Sequence, residues 1–173
     1  MKKFTISFLL IWAVIASVNH VHAQAFDQGT KFVNGSLILA TGTTPIVLSG
    51  EKGITESIGV GAKFWLTTSS EFGYRDTNIF IGGVGNYHFG KILNISNDKV
   101  DPYAGLTIGP NIENTSGYGD SETLTIFQML GQIGCRYMFS EKIGGMAQYD
   151  FGLSNATGFS FLELGVTFKL SGN

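Results

Sequence analysis

Few residues in this 173-residue chain have types and spacing that could do chemistry. Of its three histidines, His20 and His22 belong to the apolar N-terminal stretch, which leaves His88. A Ser–His–acid triad needs a nucleophile and an acid converging on the imidazole at hydrogen-bond distance. No nucleophile motif accompanies His88. Cys135 is the single cysteine, so it has no internal disulfide partner. No Cys/His spacing suits zinc. Arg136 alternates away from Cys135, so the thiol reads as a small apolar group rather than an activated nucleophile. Glycine runs at 82–85 and 105–109 are followed by no helix that could complete an anion site. These residues point to no catalytic centre, no cofactor and no metal site, and the chain reads as a non-enzyme.

What remains is a set of charged and amide residues recurring on one parity of short segments: Glu51, Lys63, Asn86, His88, Asn111, Gln128, Gln132, Arg136, Gln148, Asp150, Glu163 and Lys169. Successive side chains of a strand point to opposite faces. In 125–139, Phe127, Met129, Gly131, Ile133, Cys135, Tyr137 and Phe139 make one face, opposite Gln128, Gln132 and Arg136. In 78–89, Ile79, Ile81, Tyr87 and Phe89 oppose Asn78, Asn86 and His88. One face suits lipid and the other carries the polar atoms.

The pattern predicts eight strands, at 34–40, 45–51, 57–67, 78–89, 101–112, 125–139, 142–154 and 159–170, several of them long enough for a tilted span of about 9–11 residues. Connectors at 50–56, 91–100 and 140–142 fall on one side, and 41–44, 68–77, 113–124 and 155–158 on the other. An even number of strands in hydrocarbon must close, because an open edge would leave backbone groups unsatisfied. The expected fold is therefore all-β, an eight-stranded antiparallel up-and-down transmembrane barrel. Tyr87, Phe89, Tyr137, Phe139 and Phe168 gather near one rim, as an interfacial girdle requires.

A barrel of eight strands is only wide enough for side chains to fill. Isolated buried charges are costly, so those inside should pair. The sequence predicts an interior network of Lys63, Arg136, Asp150 and Glu163 with Gln132 and Gln148, and Arg136 as its hub, since a guanidinium offers five fixed donors. Such a network either plugs the lumen or lines a narrow path for ions. Strand register is needed to assign individual pairs.

The N-terminus carries Lys2 and Lys3, an apolar run from 4 to 18, and small residues before Gln24. That is the pattern of a cleaved secretory signal at 1–23, leaving one barrel domain at 24–173. Loss of both lysines takes the formal net charge from −2 to −4. There is no basic patch, and nucleic acid is excluded as a partner. The long polar connectors 68–77 and 113–124 would face outward and are where a surface partner would bind.

The runs Asn86-Tyr87-His88-Phe89-Gly90, Asp101-Pro102-Tyr103-Ala104-Gly105-Leu106, Arg136-Tyr137-Met138-Phe139 and Leu164-Gly165-Val166-Thr167-Phe168-Lys169-Leu170 resemble the small outer-membrane β-barrel proteins of the OmpA/OmpX-like porin superfamily. The resemblance spans nearly all of 24–173. It implies the barrel fold and a Gram-negative outer-membrane location and is unspecific for activity; the chain itself reads as a barrel in contact with lipid and lipopolysaccharide, with a role in envelope structure or surface interaction. A narrow porin-like pore is the alternative.

Overall fold

The computed structural model of the protein describes residues 25–39, 44–71, 73–95, 97, 99–117, 120–153 and 160–170. The signal expected at 1–23 lies outside them, as do most of the connector at 41–44 and all of that at 155–158. Eight antiparallel strands close into one barrel in chain order: β1 (Lys31–Leu39), β2 (Ile46–Gly53), β3 (Ile58–Glu71), β4 (Tyr74–His88), β5 (Val100–Gly117), β6 (Asp120–Met138), β7 (Ile143–Gly152) and β8 (Ser160–Leu170), with β8 returning to β1.

The alternation in the sequence is what folds this way. Along β1, Phe32, Asn34, Ser36 and Ile38 are buried while Val33, Leu37 and Leu39 lie on the outside. The same inversion runs round the barrel: Leu48, Ile81, Leu106 and Ile133 are more than half exposed, whereas Glu51, Lys63, Arg136, Asp150 and Glu163 are almost completely buried. An apolar belt of this extent has no place in water and fits a bilayer.

One sequence expectation is corrected. The connectors expected at 68–77 and 113–124 are largely strand: 68–71, 74–77, 113–117 and 120–124 belong to the ladders, with Glu71 paired to Tyr74 and Gly117 to Asp120. Gly73, at φ 84°, supplies a backbone conformation that other residues rarely adopt. Alternating Thr, Ser and charged residues read as connector because the polar outer portion of a strand lacks an apolar face. Pro110 lies within β5 and interrupts the β4–β5 ladder, where Ile81 and Gly82 have no β5 partner, because proline has no N–H to donate.

Strands β3 to β6 outrun their neighbours. Pairing of β2 to β3 ends at Ile46–Leu66, and that of β7 to β6 at Gly152–Leu130. Above those levels a four-stranded sheet projects, with 67–71 of β3 and 120–128 of β6 as its edges among the described residues.

At the opposite mouth, residues 25–30 turn into the barrel. Phe26 stacks on His88 with 3.4 Å between ring centroids and packs on Phe32. Lys169 donates to the Ala25 carbonyl at 2.9 Å. Gly53 accommodates this segment, since a Cβ there would lie 2.4 Å from the Asp27 carbonyl oxygen.

Candidate functional site

The lumen is built in layers, each set by register. Nearest the closed mouth, Arg136 of β6 donates to Asp101 of β5 at 2.9 Å and to Glu51 of β2. Its guanidinium also lies between the Phe32 and Tyr103 rings, 4.5 and 4.4 Å from their centroids. That is a geometry the planar Arg group favours. His88 bridges the same two carboxylates, 2.7 Å from Asp101 and 2.9 Å from Glu51. Both imidazole nitrogens are therefore held by acids and neither faces a nucleophile.

Amides make the next layer. Asn86 donates to Glu51 at 3.0 Å and accepts from Gln132 at 2.5 Å. Gln132 accepts from Thr107 at 2.7 Å, and Gln148 accepts from the Tyr103 hydroxyl at 2.9 Å. Gln148 donates to both oxygens of Asp150. The cavity beside these residues, lined by Asn86, Gln132, Gln148, Lys63 and Arg136, measures about 10 Å³, room for one water.

Above the amides sits a second ionic cluster. Lys63 of β3 lies 3.1 Å from Asp150 of β7 and 2.6 Å from Glu163 of β8. Ser36 of β1 donates to the other Glu163 oxygen at 2.5 Å.

The structure thus splits the expected network in two. Lys63, Asp150 and Glu163 come together, with Gln148 and Gln132 against them. Arg136 is not their hub: it serves Glu51 and Asp101 in a separate layer. The register explains the correction. Arg136 faces Met146 across β6–β7, four residues from Asp150, which faces Gln132. Asp101 was missed as an interior residue, although it shares the parity of Tyr103, Thr107 and Asn111 and is 2 % exposed.

The interior is also less uniformly polar than its sequence implied. Trp65 and Phe80 stack at 3.7 Å, and with Ile38, Val47, Leu130 and Phe161 they fill the lumen above the Lys63 cluster. Phe26, Phe32 and Met138 close it below Arg136. Among the rim aromatics, Tyr87 packs on Phe89 and Tyr137 on Phe139, while Phe168, opposite Ile143 of β7, stays exposed to the outside. Cys135 is exposed on the outer wall.

The projecting sheet has a different chemistry. Its inner face, continuing the lumen wall, carries Asp76, Glu113, Asp120 and Glu122 with Leu124 and Ile126, and no basic residue among those described. Arg75 alternates to the outer face.

No protein-family model matches the sequence, and no curated protein matches it. Solved structures do. The N-terminal barrel domain of Pseudomonas aeruginosa OprF aligns with a TM-score of 0.60 at 14 % identity, covering 83 % of this chain and 98 % of that one. Ail, the attachment invasion locus protein of Yersinia pestis, aligns at 0.55 and 14 % identity over 83 % and 99 %. OprG of P. aeruginosa aligns at 0.53 and 11 % identity over 86 % and 99 %. The chain has the fold of these eight-stranded outer-membrane barrels, across nearly their whole length.

Proposed function

We propose that this protein is a sealed, non-enzymatic barrel of the outer membrane, exported behind the signal at 1–23, whose role is to hold the projecting sheet outside the cell as an interaction surface. One observation carries the reading: β3 to β6 continue past both neighbours for roughly 15–30 Å of strand, more than a span requires. Among the described residues the edges at 67–71 and 120–128 have no strand partner and would offer their backbone groups to an added strand, a common mode of peptide recognition. The apolar belt meets lipid, with the Tyr87, Phe89, Tyr137, Phe139 and Phe168 girdle at the inner interface and lipopolysaccharide around the outer half.

Ail has been captured with the heparin analogue sucrose octasulfate. A polyanion is a poor match to the acidic inner face here, so we infer a partner that is neutral or basic where it meets that face. The narrow-pore alternative is disfavoured by the two apolar layers, since an ion crossing either would lose its hydration without replacement.

The test is to shorten both projecting hairpins to the height of Leu66 and Leu130 and measure binding of host or bacterial surfaces by cells bearing the protein. Lost binding with a folded barrel supports the role. Unchanged binding by the shortened, folded barrel removes it.

A further inference from the structure

The outer wall of the barrel carries two like charges that the register sets side by side. Lys31 of β1 and Lys52 of β2 are directly opposed across their ladder. Both alternate to the outer face and are exposed. Like charges in that position repel. Neither makes an ion pair among the described residues. The acids nearest in sequence are engaged elsewhere. Glu51 points into the lumen to Arg136 and His88, Asp27 accepts from the Gln28 amide at 2.7 Å, and Glu56 pairs with Lys91.

The pair stands in a gap of the aromatic girdle. Lys31 lies one outward step from Val33, which faces Phe168. Lys52 faces Val60, one outward step from Ile58, which faces Tyr87. Between Phe168 on β8 and Tyr87 on β4, strands β1 to β3 bring no aromatic side chain to the outer face at this level, and the lysines stand there instead. Val33, Val60 and Leu170, all exposed, flank them. A lysine at such a level rests its alkyl stem on the apolar wall and carries its ammonium to the headgroups. The bias extends beyond the pair. Apart from the buried Lys63 and Arg136, the described basic residues are Arg75 on the projection and six lysines at the closed mouth.

We propose that Lys31 and Lys52 together bind the phosphodiester of an anionic glycerophospholipid in the leaflet at the closed mouth. Opposed residues of a ladder have Cβ atoms about 4.5–5.5 Å apart, and two flexible four-carbon stems at that spacing can bring both ammoniums to one phosphate. Its oxygens accept charge-assisted hydrogen bonds from both, so two cations that repel each other share one anion. A zwitterionic lipid carries its own ammonium beside the phosphate and has no net charge to offer the pair, so an acidic headgroup is preferred. The inference rests on the reading of this wall as lipid-facing and is independent of the role given to the projecting sheet.

Native mass spectrometry of the refolded barrel, released from micelles containing equal amounts of phosphatidylglycerol and phosphatidylethanolamine, tests this. The expected result is retention of phosphatidylglycerol over phosphatidylethanolamine by at least about fivefold, falling to near parity in K31Q/K52Q. Both substitutions are on the exposed surface, and unheated gel mobility confirms that each variant is folded. K99Q/K142Q removes the same charge from the same mouth without touching the pair and should keep the preference. Parity in the folded wild type would overturn the proposal. So would wild-type preference in folded K31Q/K52Q, or an equal loss in K99Q/K142Q, which would reduce the effect to the charge of the rim as a whole. A folded barrel that stays dispersed without detergent would overturn the lipid-facing reading, and the proposal with it.

Discussion

Strands β3 to β6 pass through two environments, and the same backbone is used oppositely in each. Below Leu66 and Leu130, Lys63, Asn86, His88, Asp101, Gln132 and Arg136 are buried, and each is held by partners from other strands. Above, Asp76, Asp120 and Glu122 stand exposed on a sheet whose outer strands pair with no further strand among the described residues. In the lumen each polar group depends on several others, so the positions stand or fall together. On the projection each residue can change with little consequence for the barrel. On the proposed function, stability and recognition are separated by height along the same strands.

The comparison breaks first at Arg136. R136L leaves Glu51 and Asp101 buried against an alkyl group and should cost about 3–5 kcal/mol, read as a lower urea midpoint of the barrel in micelles. R136K restores the charge without the fork or the ring stacking and should fall between. W65A empties the upper seal and should cost about 3 kcal/mol by the same assay, yet its conductance should stay silent because the ionic and amide layers below remain packed. S36A removes one donor from Glu163 and should cost about 1.5 kcal/mol. At the far end of the series, D120N/E122Q on the projecting edge should leave the urea midpoint within about 0.5 kcal/mol of wild type. Binding of a basic partner should weaken in the same variant. A large stability loss from that edge pair would erase the distinction between the two regions.

Much of this fold was legible because parity is written residue by residue: Phe127 to Phe139 declares its lipid face without knowledge of any neighbour. Height is not written that way. Trp65, Phe80, Leu130 and Phe161 share the interior parity with Lys63, Gln132 and Glu163, and only the pairing register lifts them into a separate apolar layer. Arg136 and Asp150 have complementary charge and sit on adjacent strands, but four residues of register keep them apart. Asp101 was placed in the fifth strand but left out of the interior set, although it shares the lumen-facing parity of Tyr103, Thr107 and Asn111. The projecting sheet was hidden for the converse reason. Strand outside the membrane needs no apolar face, so residues 113–117 and 120–124 carry the composition of a loop while pairing rung by rung.

The central claim is that the lumen is sealed and the working surface lies on the projection. Single-channel recording across a planar bilayer, on protein shown to be closed by its unheated gel mobility, tests it most directly. The expected record is flat at every voltage the membrane withstands. Stable unitary steps that scale with salt concentration would contradict it, and would mean that ions pass the Trp65–Phe80 and Phe26 layers.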